Sequence, residues 1–113
     1  MKPSKVLEKA AEIQVTRGHC KGTLQDAEGR VCLQGALFLA CGITLDHDGT
    51  PSFYSSPMSA RLFDQAHLYV YRHLGSGSHR WNDLPTTSGE DVVQVLRAAA
   101  ALAREDELVV DDE

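Results

Sequence analysis

Cys32-Leu33-Gln34-Gly35-Ala36-Leu37-Phe38-Leu39-Ala40-Cys41 lies inside the longest strongly apolar window of the chain, Val31 to Ile43. Leu33, Ala36, Leu37 and Ala40 recur at helical spacing with Phe38 and Leu39 beside them, so this helix is apolar nearly all round and belongs at the centre of the molecule. Gly42 is placed to stop it. Gly35 lowers helix propensity relative to alanine, and its use is the close approach of a neighbouring helix or loop.

Working outward toward the start of the chain, Val6, Ala10 and Ile13, with Leu7 and Ala11 beside them, alternate at helical spacing with Lys5, Glu8, Lys9 and Glu12. The pattern predicts an amphipathic first helix over Ser4 to Val15, with Ser4 as N-cap and Gly18 ending it. Between Cys20 and Cys32, the residues Thr23, Leu24, Val31 and Leu33 flank Asp26-Ala27-Glu28-Gly29, whose Asp and Gly suit a tight turn. The expectation is a short β-hairpin joining the first two helices, with an irregular loop as the alternative.

Toward the other end, Ile43 to Pro57 holds Asp46, Asp48, Gly49, Pro51, three serines and Pro57, which reads as a long surface connection and a candidate contact segment. A third helix starts near Pro57 and buries Leu62, Phe63, Ala66, Tyr69, Val70 and Leu74 before Gly75-Ser76-Gly77-Ser78 ends it. Ser88 with Glu90 and Asp91 caps the last helix, whose core face is Val92, Val95, Leu96, Ala99, Leu102 and Ala103. The predicted fold is mainly α: about four helices in a compact bundle, a single domain over residues 1–104, with an acidic tail over 105–113.

Composition bounds the function. The chain has 113 residues, 42% hydrophobic and 24% charged, enough for one core without staples. Six carboxylates fall in residues 105–113 and account for the net charge of −5, so the body is near neutral. It carries no Lys/Arg cluster, which argues against nucleic-acid binding. No window is long and apolar enough for a membrane span, and Met1-Lys2-Pro3-Ser4-Lys5 leads into Glu8 and Lys9 with no apolar h-region. Three cysteines, an odd number, favour reduced thiols. The expected location is the cytoplasm.

Chemistry has few places to sit. Cys32 opens a helix, where the dipole stabilises a thiolate, and His67 or His79 with Asn82 or Asp83 follows in the order of a cysteine hydrolase. No local nucleophile signature surrounds Cys32, and packing is the commoner use of such a cysteine. His19, Cys20, Cys32 and Cys41 lack a chelating pair at short spacing, so neither a metal nor another cofactor is expected. Asp46-His47-Asp48-Gly49 lacks most of a calcium loop and reads as a turn. His67, Tyr69, Tyr71 and His73 point in different directions around the third helix, and the Gly75–Ser78 run lacks the ending of a phosphate loop. Trp81 reads as an anchor on the central helix, with Asn82 and Asp83 capping nearby backbone groups.

Gly18-His19-Cys20-Lys21-Gly22, the Gly29-to-Leu37 segment with Cys32-x-x-Gly35-Ala36, and Trp81-Asn82-Asp83 ahead of the final helix together resemble a domain-of-unknown-function family of small actinobacterial and actinobacteriophage proteins. His19 stands where that family commonly has an aromatic. Cys20, Cys32, Gly35, Trp81, Asn82 and Asp83 are the matching positions. The resemblance implies a phage or actinobacterial cytosolic origin and carries over no catalytic residue.

The leading expectation is a non-enzymatic protein that binds a protein partner, phage-encoded and acting on a host protein. Its contact surface would be the 43–57 connection, the exposed aromatics of the third helix or the acidic tail. The alternatives are a cysteine-dependent hydrolase or transferase built on Cys32, and a homo-oligomeric structural component.

Overall fold

The computed structural model describes residues 1–46, 50–51 and 57–111, with side chains as far as Leu108. Among these residues are five helices: α1 (Pro3–Arg17), α2 (Leu33–Ala40), α3 (Pro57–Leu74), α4 (Ser78–Asn82) and α5 (Gly89–Asp111). Most of the 43–57 connection, including His47 to Gly49 of the expected turn, lies outside the described residues. Leu45 and Pro51 on either side form an antiparallel bridge.

α1 packs most extensively on α5 and next on α2, while α3 packs against α5. The core is assembled from Val6, Leu7, Ala10 and Ala11 of α1, Leu33, Ala36, Leu37 and Ala40 of α2, Ala66 and Val70 of α3, and the Val92–Ala103 stripe of α5. Ala10 and Ala11 of α1 and Ala99, Ala100 and Ala103 of α5 are among these core residues, and small side chains favour close helix packing. Each fully buried leucine (Leu7, Leu33, Leu37 and Leu96) contributes about 1.5–3 kcal/mol of burial.

The helix ends follow local chemistry, with one exception. Cys41 and Gly42 close α2 in a Schellman motif: Gly42 takes φ 81°, the Ile43 N–H reaches Phe38 O at 2.9 Å, and the Gly42 N–H reaches Leu39 O at 3.0 Å. Ser88 and Asp91 exchange hydrogen bonds of 3.1 and 3.0 Å in a capping box at the start of α5. The exception is α1. Ser4 is not its N-cap, because Pro3 fits the first helical position and moves the cap to Lys2, which makes no side-chain cap bond. Instead, Glu107 of α5 accepts from the Ser4 amide at 3.0 Å and from the Ser4 hydroxyl at 2.6 Å. The cap is tertiary.

The expected hairpin is not formed. His19 and Gln25 both bridge Val31, one parallel and one antiparallel, and neither bridge extends into a strand. The reason lies in Asp26, whose carboxylate takes the Glu28 and Arg30 amides at 3.1 and 2.8 Å and the Arg30 guanidinium at 2.6 Å. A side chain that satisfies the turn's own N–H groups removes the donors a ladder needs. The helix count also exceeds expectation by the one-turn α4. Finally, α5 continues through residues 105–111, so the acidic segment read as a tail is helical to Asp111.

Candidate functional site

Asn82, the last residue of α4, is 1% exposed and makes four hydrogen bonds. Its Oδ1 accepts from the Leu33 amide at 3.0 Å, the first N–H of α2, and from His19 Nε2 at 2.9 Å. Its Nδ2 donates to Cys20 O at 3.2 Å and to Asp83 Oδ1 at 3.0 Å. Asp83 Oδ1 in turn accepts from the Gly22 amide at 3.0 Å, and Lys21 Nζ donates to Leu84 O. One amide side chain thereby joins the 18–25 loop, the start of α2 and α4. The Asn82 amide first, and the Gly22 N–H next, hold the Asp83 carboxyl below the usual carboxylate range.

Cys32, Asn82, Asp83 and His79 line one cleft of about 250 Å³, together with Thr23 and Gln34. His67, the fifth residue of the cysteine-chemistry set, is elsewhere. Its Nε2 lies 2.6 Å from Ser78 Oγ, which also accepts from Gln34 Nε2 at 3.0 Å, and its ring stacks on Phe63, itself stacked on Phe38. Burial lowers the His67 pKa.

The three thiols are free and buried, and burial raises the pKa of each, which disfavours the thiolate that nucleophilic attack needs. Cys32 is the N-cap of α2, and its Sγ accepts from the Gly35 amide at 3.4 Å. Burial pushes its pKa up more than that amide pulls it down, and Asp83 adds to the rise. Burial, with Cys32 next, pushes Cys20 up to about 11. Burial alone does the same for Cys41. Cys20 Sγ points at the carbonyls of Arg30 and Thr23, at 3.3 and 3.5 Å. Among the described residues, no group of three or more His, Cys, Asp or Glu side chains is placed to hold a metal ion.

Gly35 and Trp81 complete the motif positions. A Cβ on Gly35 would lie 2.1 Å from Leu24 O, so the loop rests directly on the α2 backbone. Trp81 is partly buried against the core, and its carbonyl accepts from the buried Thr87 hydroxyl at 2.7 Å.

Two members of this network escape a reading of residue types alone. Gln14 is buried and donates to Gly18 O and Val31 O, each at 2.9 Å, holding the loop to α1. The available signal was a polar residue on the apolar stripe that runs from Leu7 through Ala10. Ser78 offered none, because its role depends on α3 passing beside α4.

A different surface lies on α3. Met58, Leu68 and Tyr71 are 78%, 54% and 51% exposed. Leu68 also lines a largely apolar pocket of about 300 Å³, whose other walls are Pro3 of α1, Gln65 and Tyr69 of α3, and Asp106 and Glu107 of α5. Asp106 accepts from the Tyr69 hydroxyl at 2.8 Å and from Arg72 at 3.3 Å, fixing the end of α5 beside this face. Among the described residues, no helix is long and apolar enough to cross a membrane.

A family model described as a family of unknown function (DUF6197) matches residues 1–102. No curated protein and no solved structure matches.

Proposed function

We propose that this chain, which belongs to the DUF6197 family of unknown function, is a non-enzymatic protein-binding module whose contact surface is the outward face of α3. The observation that carries the reading is the exposure of Leu68 and Tyr71, with Met58 on the same helix, beside the apolar pocket that Leu68 helps to line. Large apolar side chains grouped on one helix next to a concave apolar site are what a partner covers. The residues with the most chemical character support it from the other side, since Asn82 and Cys32 are engaged in capping and His67 in a bond to Ser78.

The motif resemblance to small actinobacterial and actinobacteriophage proteins supports a phage-encoded product acting on a host protein. Three free cysteines support a reducing compartment, the host cytoplasm. The test is capture of partners from host lysate by the wild-type chain and by a Leu68→Glu, Tyr71→Glu variant. A stoichiometric partner lost in the variant supports the reading. A partner retained by the variant moves the contact elsewhere, and concentration-dependent self-association of the wild type in light scattering would replace the partner with a second copy.

One observation favours a second reading. The cleft that gathers Cys32, His79, Asn82 and Asp83 contains four of the five residues a cysteine hydrolase or transferase would use. Alkylation of Cys32 well ahead of Cys20 and Cys41 at neutral pH would favour that reading.

A further inference from the structure

The single tryptophan of the chain is the wall between two clefts. Trp81 and Leu84 line one of about 500 Å³ against α5 and another of about 380 Å³ against the start of α4. The second is completed by Ser76, Gly77, His79 and Arg80, and no carboxylate is among the residues that line it.

We propose that this second cleft is a binding site for a small planar aromatic carboxylate, which stacks on the Trp81 indole and places its anionic group on the Arg80 guanidinium. The site is separate from the α3 face, and neither proposal depends on the other.

Four features argue for it. The volume lies within the range of small-molecule pockets and fits a fused-ring acid. The walls are mainly apolar, with Trp81 and with Leu84, which is 43% exposed. An indole and a leucine favour a flat apolar body between them. A Cβ built on Gly77 would meet nothing within 4 Å, so the cleft is open at Gly77.

The charge on the site has a sign. Arg80 is the arginine that lines this cleft, and like Arg17, Arg61 and Arg97 it makes no ion pair among the described residues. A guanidinium left without a carboxylate at the rim of an apolar cleft matches the carboxylate fork of a ligand. The backbone that carries the indole is also held in place before any ligand arrives, and the side chain packs partly against the core. The Trp81 amide donates to Gly77 O at 3.2 Å, the Leu84 amide to Trp81 O at 3.2 Å, and the Thr87 hydroxyl to Trp81 O at 2.7 Å. Little ordering then remains for a ligand to impose.

The test uses the full chain and its one indole N–H resonance. 2-Naphthoate is titrated at low salt, with cyclohexanecarboxylate to remove planarity and 2-naphthylmethylamine to reverse the charge. We expect 2-naphthoate to shift the Trp81 indole resonance saturably, with the other two binding at least about tenfold more weakly, as the loss of a stacking or ion-pair contact implies. Arg80→Gln should weaken 2-naphthoate by about tenfold, and Arg80→Lys should recover part of that. Arg80 is exposed, and unchanged backbone resonances in both variants show that the fold is intact. Absence of a saturable shift at the solubility limit overturns the proposal. So does equal binding of the amine, or affinity that Arg80→Gln leaves unchanged.

Discussion

The Asn82 Oδ1 accepts the Leu33 amide at 3.0 Å across 49 residues of chain, so α4 caps the start of α2. The same side chain donates to Cys20 O at 3.2 Å. Asn82→Ala strands both backbone groups in the interior, where each costs about 1–3 kcal/mol. We expect a loss of about 3 kcal/mol, seen in thermal melts as a fall in Tm of about 10 °C or more. Asn82→Asp keeps the acceptor but loses both donors and sets a second carboxylate beside Asp83, so it should be no better tolerated. A fall of only about 2 °C for the alanine variant would show that water substitutes for the amide.

Gly35 and Gly77 form a matched pair. A methyl group on Gly35 would meet a backbone oxygen at 2.1 Å, which cannot move without shifting the loop, while one on Gly77 meets nothing within 4 Å. Gly35→Ala should therefore cost about 3 kcal/mol or more despite the gain in helix propensity. Gly77→Ala should cost less, about 0.5–1 kcal/mol, the advantage of glycine over alanine at a helix N-cap. Equal Tm values for the two variants would rule out the close loop–helix contact.

The five helices differ in how openly the chain announces them. Periodicity in Val6–Ile13, Leu33–Ala40, Leu62–Leu74 and Val92–Ala103 was enough to locate four, because each buries a continuous stripe. α4 is one turn long, too short for a period to appear, and is held by Asn82 and Thr87. The 18–31 loop read as a hairpin because turn chemistry at Asp26–Gly29 is shared by hairpins and by Asx-type loops. Only the position of the Asp26 carboxylate separates them. Site chemistry was legible as residue types: Trp81, Asn82 and Asp83 are residues that bond or anchor locally. Their partners, His19, Cys20, Gly22 and Leu33, lie far back in sequence, and pairing over such distances leaves no periodic trace.

The cap of α1 comes from Glu107, so residues beyond Arg104 stabilise the start of the fold. Glu107→Ala removes two acceptors from Ser4 and a carboxylate from that helix end, and should cost about 1–2 kcal/mol. Ser4→Ala removes only the hydroxyl bond and should cost less. A chain ending at Arg104 also loses Asp106 from Tyr69 and Arg72, and should fall further than Glu107→Ala. Denaturant midpoints for the three variants in that order would establish the tertiary cap. A truncated chain as stable as the wild type would exclude it.

Thiol labelling separates the two functional readings. Burial raises all three cysteines, Cys20 and Cys41 to about 11 and Cys32 in the same direction. The native protein should therefore react slowly with iodoacetamide at neutral pH. Its rate should rise steadily through alkaline pH with no plateau near neutrality, while the unfolded chain reacts as ordinary cysteine does. Site-resolved mass spectrometry checks this. A Cys32 rate that saturates near neutral pH would replace the capping role with a nucleophilic one.

His67 should set an acid-side limit on stability. Ser78 Oγ accepts from Gln34 Nε2 and lies 2.6 Å from His67 Nε2, where a neutral imidazole can accept the serine proton. Burial between Phe63 and Ser78 lowers its pKa below the ordinary 6.5, an effect that Asp64 only partly offsets. The unfolded chain thus takes up a proton that the folded chain refuses. The contribution is complete above 6.5 and is lost as pH falls below it, because burial disfavours the charged imidazolium. Urea unfolding at pH values from about 7.5 to about 5 should show falling stability, and His67→Gln should flatten part of that slope. The difference between the two profiles isolates His67 from the four other histidines. Identical slopes would mean that the His67 pKa is the same in the folded and the unfolded chain.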